Sequence, residues 1–399
     1  MGGFLTLENA DVAGKNVFLR LDLNMPVDDE GNVTDTSRLD ASMQTLLALK
    51  EKGAKTLIVT HRGRPQKREE ALSTKILLPL LEEKLHQKVK FSETLEHAQE
   101  MLQTLEEGQF VLLENIRFWK GEEENESDFS ADLASLCSIY VNDAFSVSHR
   151  KHASVYGVPK RMEVRIAGYN LLTEVTYLKQ FCEKGWGEAP NAKTYTLSLL
   201  GGAKVSTKMK LLESLLKLST LIIPGGGMAN TFLVAAGLLK PGASFYEKDF
   251  LEEAGAFLRK NPLKFMLPID AIVVDDLDHP TLTMTLDIVN VPPKLKIVDI
   301  GPKTRQMIED KVSLASTIVW NGPFGVFEKK PFDEGSASIV HSLSKRTKEG
   351  ATTLVGGGDT LACLGDDKKN LSFVSTAGGA FLEYLEECGL PGVSVLCQL

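Results

Sequence analysis

The chain has 399 residues, of which 43% are hydrophobic and 25% charged, and its formal net charge is −8. This composition is typical of a globular protein of roughly two to three domains. The net negative charge excludes a global attraction to nucleic acid or to an anionic membrane, so an anion must be bound by a local cluster of cations.

Short apolar segments rich in Val, Ile and Leu recur in the first half, each followed by a loop and a segment of helical period. Four of them predict strands, namely NVFLRLDL, TLIVTH, FVLLENI and SIYVNDAF. The segment SRLDASMQTLLALKEKG has apolar residues three and four positions apart, which predicts an amphipathic helix. Apolar strands that alternate with helices are typical of a parallel sheet covered on both faces.

The segment GYNLLTEVTYLKQFCEKGWG near the middle predicts a single helix with no strand of its own. We interpret residues 171–186 as a connecting helix between a domain of residues 1–170 and a domain of residues 187–380. The tail, 381–399, is expected to fold back onto the first domain. The predicted fold class is α/β, with two doubly wound parallel-sheet (Rossmann-like) domains and a deep cleft between them.

Strands of the second half are predicted at TYTLSLL, TLIIPGGG, TIVWNG, ATTLVGGG and FVSTAGG. Four glycine-rich turns follow strands there: LGGAKVSTK, IIPGGGMAN, LVGGGDTL and STAGGA. Glycine lets backbone N–H groups approach an anion, and a following helix N-terminus adds partial positive charge, as in nucleotide phosphate sites. None of the turns matches GxGxxG or GxxxxGK[ST], which argues against an ordinary dinucleotide fold or P-loop.

Polar and basic side chains follow nearly every predicted strand of the first half. Ligands of open parallel sheets bind beyond the carboxyl ends of the strands, and guanidinium groups suit small, highly charged anions. Each residue alone could be a solvated loop residue or a helix cap, but together they predict an anion site. No carboxylate or Cys stands at ligand spacing around the histidines, so a metal is not expected there. The candidates are Asp22, Asn24, Arg38, His61, Arg64, Arg117, His149, Arg150 and His152.

Lys204 and Lys208 are predicted to lie on one face in the first turns of the helix after Gly201 and Gly202. Cations there oppose the helix dipole. A bound polyphosphate would remove that conflict, so the spacing favours ligand binding over a solvated face.

Other polar residues of the second half have two interpretations each. Asp359 either caps the next helix or ligates Mg²⁺ on a nucleotide. Asn321 and Glu328 either belong to a turn or contact nucleotide phosphate and ribose.

The five cysteines are scattered and lack CxxC spacing, which predicts reduced thiols without a disulfide or zinc site. They are Cys137, Cys182, Cys363, Cys388 and Cys397. The N-terminus has no basic stretch leading into an apolar segment, and no apolar run approaches about 18 residues. A soluble, cytoplasmic protein is expected.

Ten segments follow one another in the order of the phosphoglycerate kinase family and resemble its motifs over nearly the whole chain. They are RLDLNMPVD, HRGRP, LLENIRF, YVNDAF…HRKHAS, LGGAKVSTK, GGGMANTF, DIGPKT, WNGPFGVFE, GGGDT and STAGGA. The resemblance implies a phosphotransferase with a carboxyl group as acceptor (EC 2.7.2.3). It also implies reversible transfer of the acyl phosphate of 1,3-bisphosphoglycerate to MgADP, giving 3-phosphoglycerate and MgATP.

The resemblance also implies roles for individual residues. Arg38, Lys204 and the helix starts at Gly358 and Gly378 would act on the transferred phosphoryl group, and Asp359 would hold Mg²⁺ through the nucleotide. The glycerate would be bound by Asp22, Asn24, Arg38, His61, Arg64, Arg117, Arg150 and His152. The nucleotide would be bound by Gly201, Ala203, Lys204, Lys208, Gly226, Asn321, Glu328, Gly357, Gly358, Asp359 and Thr360.

The nucleophile of this reaction is already ionised, so no general base is needed, and the site must supply positioning and positive charge. Hinge closure is expected to exclude water from the acyl phosphate. The expected partners are small-molecule substrates, and neither nucleic acid nor a membrane is expected to bind. The resemblance also implies a monomeric enzyme of glycolysis and gluconeogenesis.

Three positions depart from the family pattern. Arg62 stands where an apolar residue is usual, and its charge could simply be solvated. Ala377 replaces a glycine, which strains the backbone only if φ is positive. Ser146 also replaces a glycine, for which the sequence offers no reason.

Two other classes of function are less consistent with the sequence. A nucleotide-dependent dehydrogenase is disfavoured by the missing GxGxxG fingerprint. A non-catalytic anion-binding protein of the same fold is disfavoured because Arg38, Lys204, Lys208 and Asp359 are all present.

Overall fold

The computed structural model describes residues 3–28, 30–183 and 195–397 of the chain. Its contacts divide the protein into two compact units, Met1–Leu178 with Gly389–Leu399, and Lys179–Cys388. The chain therefore passes twice between the units. The predicted end of the connecting helix at 186 and the predicted start of the second domain at 187 lie outside the described residues.

The first unit contains one sheet of seven strands. These are β1 (Leu5–Thr6), β2 (Asn16–Arg20), β3 (Lys55–Val59), β4 (Val89–Ser92), β5 (Phe110–Leu113), β6 (Ile139–Asn142) and β7 (Val164–Ala167). Their order is β1-β7-β6-β2-β3-β5-β4, and every neighbouring pair is parallel. The four predicted strands β2, β3, β5 and β6 occupy adjacent central positions, so their carboxyl ends lie at one edge.

Helices of the first unit cover this sheet. They are α1 (Ser37–Glu51), α2 (Leu78–Leu85), α3 (Leu95–Gln103), α4 (Lys120–Glu124), α5 (Ser127–Ser135) and, continuing into the second unit, α6 (Tyr169–Glu183). Helix α1 follows the predicted period, because Leu39, Leu46 and Leu49 share its buried face. It ends before Gly53, whose φ of +73° suits glycine.

The second unit contains a parallel sheet and a smaller antiparallel sheet. The parallel strands are β8 (Thr196–Leu200), β9 (Leu221–Pro224), β13 (Thr317–Asn321), β14 (Thr352–Gly356) and β15 (Phe373–Ser375). Their order is β15-β14-β13-β8-β9. The antiparallel strands, in the order β11-β10-β12, are β10 (Asp270–Val274), β11 (Thr283–Asp287) and β12 (Lys296–Ile300).

Helices of the second unit follow its strands. They are α7 (Met209–Leu218), α8 (Gly226–Ala235), α9 (Leu251–Lys260), α10 (Pro302–Leu314), α11 (Glu334–Lys348), α12 (Gly358–Leu364) and α13 (Gly379–Glu387). A short helix, α14 (Pro391–Ser394), lies in the C-terminal segment of the first unit. Buried side chains around Trp320 form the core against the parallel sheet.

The predicted α/β class with two Rossmann-like parallel sheets is confirmed, since every predicted strand forms. The antiparallel sheet was not predicted. Its edge strand β11 is exposed over Thr283, Met284 and Thr285, so it lacks the apolar run by which the other strands were recognised. Among the described residues, no helix combines the length and apolar character needed to cross a membrane.

The prediction that all cysteines are reduced is wrong. Cys182 and Cys388 form a disulfide within the second unit, with their Cα atoms 5.7 Å apart. The sequence showed no sign of the pair, because the two residues are separated by 206 positions. Cys137, Cys363 and Cys397 are free thiols.

Candidate functional site

Most of the predicted anion-site residues lie at the carboxyl edge formed by β6, β2, β3 and β5. Asp22 and Asn24 follow β2, His61 follows β3, Arg117 lies in a 3₁₀ turn after β5, and His152 follows β6. Hydrogen bonds tie these loops together, since Gly63 donates its N–H to Asn24 Oδ1 at 2.8 Å and accepts from Arg117 Nη1 at 2.6 Å.

Asp22 is the carboxylate at the centre of this edge and is 8% exposed. Its Oδ1 accepts from the backbone N–H of Asn24 at 3.1 Å. Its Oδ2 accepts from two side chains, the guanidinium of Arg38 and the hydroxyl of Ser146. Arg38 therefore reaches the anion site from the second position of α1, and its side chain is 30% exposed.

Three histidines at this edge are held neutral. Burial lowers the pKa of His61 well below its ordinary value, and the nearby arginines lower it further. Burial and Arg117 lower the pKa of His152 to about 3. Burial and Arg150 lower the pKa of His149 to about 4. Neutral imidazoles can still donate hydrogen bonds to an anion, while the arginines supply the positive charge.

The arginines outnumber the carboxylates that balance them. Arg117 lies 3.2 Å from Glu123, and burial together with Arg20 lowers the pKa of Arg117 to about 10. Arg150 donates to His149 Nε2 at 3.3 Å, and Arg64 is exposed. An anion placed here would be stabilised by groups that now repel one another.

Arg20 is a buried contributor to this charge that the sequence analysis missed. It is fully buried, donates to Ser154 Oγ at 2.8 Å, and lies in the field of the buried Glu122. Glu122 in turn accepts from the N–H of Ser154 at 2.8 Å and from its hydroxyl at 2.6 Å. The position of Arg20 inside the apolar segment NVFLRLDL could have indicated a buried charge.

Arg62 is not solvated, contrary to the interpretation from the sequence. It is 3% exposed and donates to the carbonyl oxygens of Ala71 at 3.1 Å and Ser73 at 2.6 Å. Burial lowers its pKa, and Glu114 opposes that effect. The side chain therefore holds the loop after β3 and does not add charge to the anion site.

Glycine-rich turns line the carboxyl edge of the parallel sheet in the second unit. A Cβ on Gly201 would lie 2.1 Å from the carbonyl oxygen of Pro323. Gly226 has a φ of +60°, and a Cβ there would lie 2.8 Å from Gly202 O. Both positions require glycine because the turns after β8, β9 and β13 are packed backbone to backbone.

The predicted placement of the two lysines is wrong. Helix α7 begins at Met209, after a 3₁₀ turn of Ser206–Lys208, so Lys204 and Lys208 do not share a helix face. Lys204 is exposed. Lys208 turns inward and donates to Gly201 O and Asn321 Oδ1, both at 2.7 Å.

Asn321 and Thr360 connect these turns. Asn321 is 3% exposed, and its Nδ2 donates to Gly356 O at 2.6 Å. Thr360 accepts the N–H of Gly322 at 2.7 Å through its hydroxyl. The side chains of Asn321 and Thr360 are thus engaged in holding the loops after β13 and β14.

Ala377, after β15, carries no positive φ; among the described non-glycine residues only His86, Asn125 and Cys388 do. Alanine is therefore accommodated there without backbone strain. Gly378 next to it has a φ of +45° and precedes α13.

A cavity of about 320 Å³ lies beside these turns within the second unit. Its lining includes Ala203, Gly226, Glu328 and Asp359, which the sequence predicted for nucleotide binding. The lining also includes apolar residues that were not predicted, among them Leu233, Phe245, Ile288, Ile297 and Val326. A cavity lined by apolar side chains and glycine-rich turns can hold a flat ring together with phosphates.

Asp359 is the candidate metal ligand. Its carboxylate is exposed beside Gly358 at the start of α12, and it accepts no hydrogen bond from the described residues. Within the described ranges, no group of three or more His, Cys, Asp and Glu side chains is arranged to hold a metal ion. One carboxylate fits Mg²⁺ that takes its other ligands from phosphate and water.

Arginines gather at the carboxyl edge of one parallel sheet and glycine-rich turns at that of the other, an arrangement suited to phosphate groups. The chain is a phosphotransferase, as its match to a family model shows. Residues 7–387 match the family model described as phosphoglycerate kinase. The chain belongs to the phosphoglycerate kinase family, whose activity is EC 2.7.2.3, with a nucleotide substrate.

Individual relatives agree along the whole chain. It is 42% identical to the phosphoglycerate kinase of Rhizobium meliloti, over 99% of both chains. Its structure resembles that of phosphoglycerate kinase from Coxiella burnetii, with a TM-score of 0.89, 37% identity and coverage of 99% of both chains. The phosphoglycerate kinase from Pyrococcus horikoshii is similar with a TM-score of 0.80, 28% identity and coverage of 98% of both.

Proposed function

We propose that this enzyme transfers the acyl phosphate of 1,3-bisphosphoglycerate reversibly and directly to MgADP. The observation that carries the proposal is the excess of positive charge at the carboxyl edge of the first sheet. There burial lowers the pKa values of His61, His149 and His152, and the positive charge of Arg38, Arg117 and Arg150 lowers them further. A highly charged glycerate phosphate is the kind of ligand that relieves such repulsion.

In this proposal, the first unit binds the glycerate. Asp22 and Asn24 orient its polar groups, and Arg38 moves onto the transferring phosphoryl group. The remaining positive and polar contacts come from His61, Arg64, Arg117, Arg150 and His152. No general base is needed, because the attacking oxygen of ADP or of the carboxylate is already ionised.

The second unit binds the nucleotide in the proposal. The phosphates of the nucleotide lie against the turns at Gly201, Ala203, Gly226 and Gly357. Lys208, which donates to Gly201 O, contributes positive charge to the same turns. Lys204 is exposed and would follow the transferred group. The starts of α12 at Gly358 and of α13 after Gly378 would add backbone N–H groups. Glu328 contacts the ribose.

Asn321 and Thr360 support the nucleotide site chiefly by fixing the loops that carry it, as their hydrogen bonds indicate. Asp359 would hold Mg²⁺ on the nucleotide. When bound, the metal would neutralise charge on the phosphate oxygens.

The proposed domain roles are glycerate binding by residues 1–170 and nucleotide binding by residues 187–380. Residues 171–186 would connect the two, and the tail 381–399 would pack on the first. The division of the chain into two compact units supports two binding domains, but it ends the first at Leu178 and assigns to it only Gly389–Leu399 of the tail. Hinge closure over both substrates would exclude water from the acyl phosphate. We also propose a cytoplasmic monomer that uses small-molecule substrates and binds neither nucleic acid nor membrane.

A coupled assay of ATP formation from 1,3-bisphosphoglycerate and MgADP tests the reaction. We expect no turnover when either substrate is omitted. Added NAD⁺ or NADH should have no effect on the rate. Absence of turnover at millimolar substrates by folded protein would refute the proposal. Chelation with EDTA should abolish turnover, and added Mg²⁺ should restore it.

A further inference from the structure

Ser146 makes a contact at the anion site that no family motif anticipated. Its hydroxyl donates to Oδ2 of Asp22, the same oxygen that accepts from Arg38. Ser146 lies 124 positions away from Asp22 in the chain, so the contact exists only because β6 and β2 are neighbours in the sheet. The Asp22 carboxylate thus has two side-chain donors of different kinds on one oxygen.

The two donors differ in how firmly they are held. Ser146 lies in the 3₁₀ turn Phe145–Val147, which is fixed by the N–H of Ala144 donating to Asn142 Oδ1 at 3.0 Å and by that of Ser148 donating to Phe145 O at 2.9 Å. A hydroxyl on a fixed turn has little freedom. The long side chain of Arg38 is 30% exposed and can move without unfolding anything.

Movement of Arg38 onto a phosphoryl group would take one donor from Asp22 Oδ2. A buried carboxylate oxygen without a donor is costly, and Asp22 has a side chain only 10% exposed. His61 does not replace the donor, because its Nδ1 lies 3.9 Å from Asp22 Oδ1, beyond hydrogen-bond distance. The hydroxyl of Ser146 stays in place and keeps the oxygen satisfied.

We propose that Ser146 is a positioning residue, whose hydroxyl holds the Asp22 carboxylate in its binding orientation while Arg38 is released to the substrate. This inference rests on the proposed function, since it needs Asp22 and Arg38 to face the glycerate. It assigns to Ser146 no contact with the reacting atoms. Its effect should appear on the glycerate side of the reaction and not on the nucleotide side.

Steady-state kinetics of Ser146→Ala, measured in the direction of 1,3-bisphosphoglycerate formation, test the proposal. We expect KM for 3-phosphoglycerate to rise roughly 5- to 10-fold, the scale of one hydrogen bond to a charged group, while KM for MgATP changes less than about twofold. Ser146→Thr retains the hydroxyl and should restore the wild-type KM for 3-phosphoglycerate. Equal changes in both KM values, or none in either, would overturn the proposal.

Ser148→Ala is the matched control for loosening of the turn. The Ser148 hydroxyl donates to Ala144 O at 3.0 Å and accepts from Asn142 Nδ2 at 3.1 Å, and it makes no hydrogen bond to Asp22. Removal of this hydroxyl should lower Tm without changing KM for 3-phosphoglycerate more than KM for MgATP. If Ser148→Ala reproduced the kinetic pattern of Ser146→Ala, the effect would be structural and the proposal wrong.

A double-mutant cycle with Asp22→Ala, which removes the acceptor of the Ser146 hydroxyl, tests whether Ser146 acts through Asp22. The cost of Ser146→Ala should shrink to less than about twofold in the Asp22→Ala background. Full additivity would contradict the proposal. Calorimetric binding of 3-phosphoglycerate gives the same comparison without turnover, so that an inactive wild type would refute the proposed function while Ser146 is still tested by binding.

Discussion

Lys208 combines positive charge with burial beside the glycine-rich turns. Burial lowers the pKa of Lys208 to about 8, and the negative charge of Asp359 partly opposes this shift. A bound phosphate favours the charged ammonium and raises this pKa. We therefore expect nucleotide binding at about pH 8.5 to take up roughly half a proton or more, and binding at about pH 6.5 to take up none through Lys208.

Isothermal titration calorimetry of ADP in buffers of different ionisation enthalpy measures this uptake. Lys208→Met should abolish it, whereas Lys204→Met, which changes an exposed lysine of the same segment, should leave it intact. Identical proton uptake by wild type and Lys208→Met would show that another group titrates.

Arg38 is held at the anion site by the carboxylate of Asp22. Arg38→Ala removes the positive charge expected at the transferring phosphoryl group. We expect kcat to fall about 10²-fold or more, with a smaller change in nucleotide affinity. The control is Arg68→Ala, in the same unit, because Arg68 is exposed and pairs with Glu93 at 3.3 Å. Its kcat should stay within about twofold, and an unchanged kcat of Arg38→Ala would refute the role of Arg38.

At the residue scale, the sequence predicted which side chains gather at the strand ends but not where each one points. The residue types and their positions after strands were enough to place Asp22, His61 and Arg117 on one edge. Arg62 and Lys208 were misjudged because they donate to backbone carbonyls of their own connecting segments, and Lys208 also donates to Asn321 Oδ1. Such contacts depend on loop conformation, which periodicity does not encode.

At the element scale, runs of apolar residues identified the predicted strands, and edge strands with mixed burial were missed. Strand β10 was missed as well, although it is apolar and mostly buried. Strands β8 and β13 are buried along most of their length, so a run of apolar residues identified them. Strand β4 has the pattern buried, exposed, intermediate, buried, and β11 is mostly exposed. Short edge strands of this kind carry a weak signal because only their pairing partner defines them.

A buried carboxylate, Asp143, follows β6 and lies against the start of α6. Asp143 Oδ1 accepts from the N–H of Leu171 at 3.0 Å, and burial raises the pKa of Asp143 to about 7. The unfolded value is about 3.8, so between these two values the folded protein binds the extra proton. Stability contributed by the protonated form is therefore lost as pH rises from about 4 to 7.

We expect Asp143→Asn to remove this part of the pH dependence. The amide keeps an acceptor for Leu171 without a buried charge, so the variant should gain stability relative to wild type as pH rises, by about 3 kcal/mol between pH 5 and pH 8. Urea denaturation at pH 5 and pH 8 measures the difference. Asp143→Ala, which lacks the acceptor, serves as the comparison and should lose stability at both pH values. A pH-independent difference between wild type and Asp143→Asn would contradict the raised pKa.

At the scale of the whole molecule, nine predicted strands and one interrupting helix were enough to indicate two parallel-sheet halves. Strands and helices alternate in each half of the chain, and this alternation is typical of a parallel sheet covered by helices. The disulfide between Cys182 and Cys388 could not be predicted, since nothing local marks two cysteines 206 positions apart as neighbours. It closes nearly all of the second unit into one covalent loop.

A loop of 206 residues makes this disulfide a large constraint on the unfolded chain. The chain-entropy relation gives up to about 5 kcal/mol for a closure of that length, and measured effects are often smaller. We expect the oxidised wild type to unfold at a higher urea concentration than the protein reduced with dithiothreitol. Cys182→Ser should unfold like the reduced wild type and should not respond to dithiothreitol. Cys363→Ser, which changes a free thiol of the same unit, should keep the full difference between oxidised and reduced protein. Coincident unfolding curves for oxidised and reduced wild type would mean that the Cys182–Cys388 bond does not stabilise the second unit.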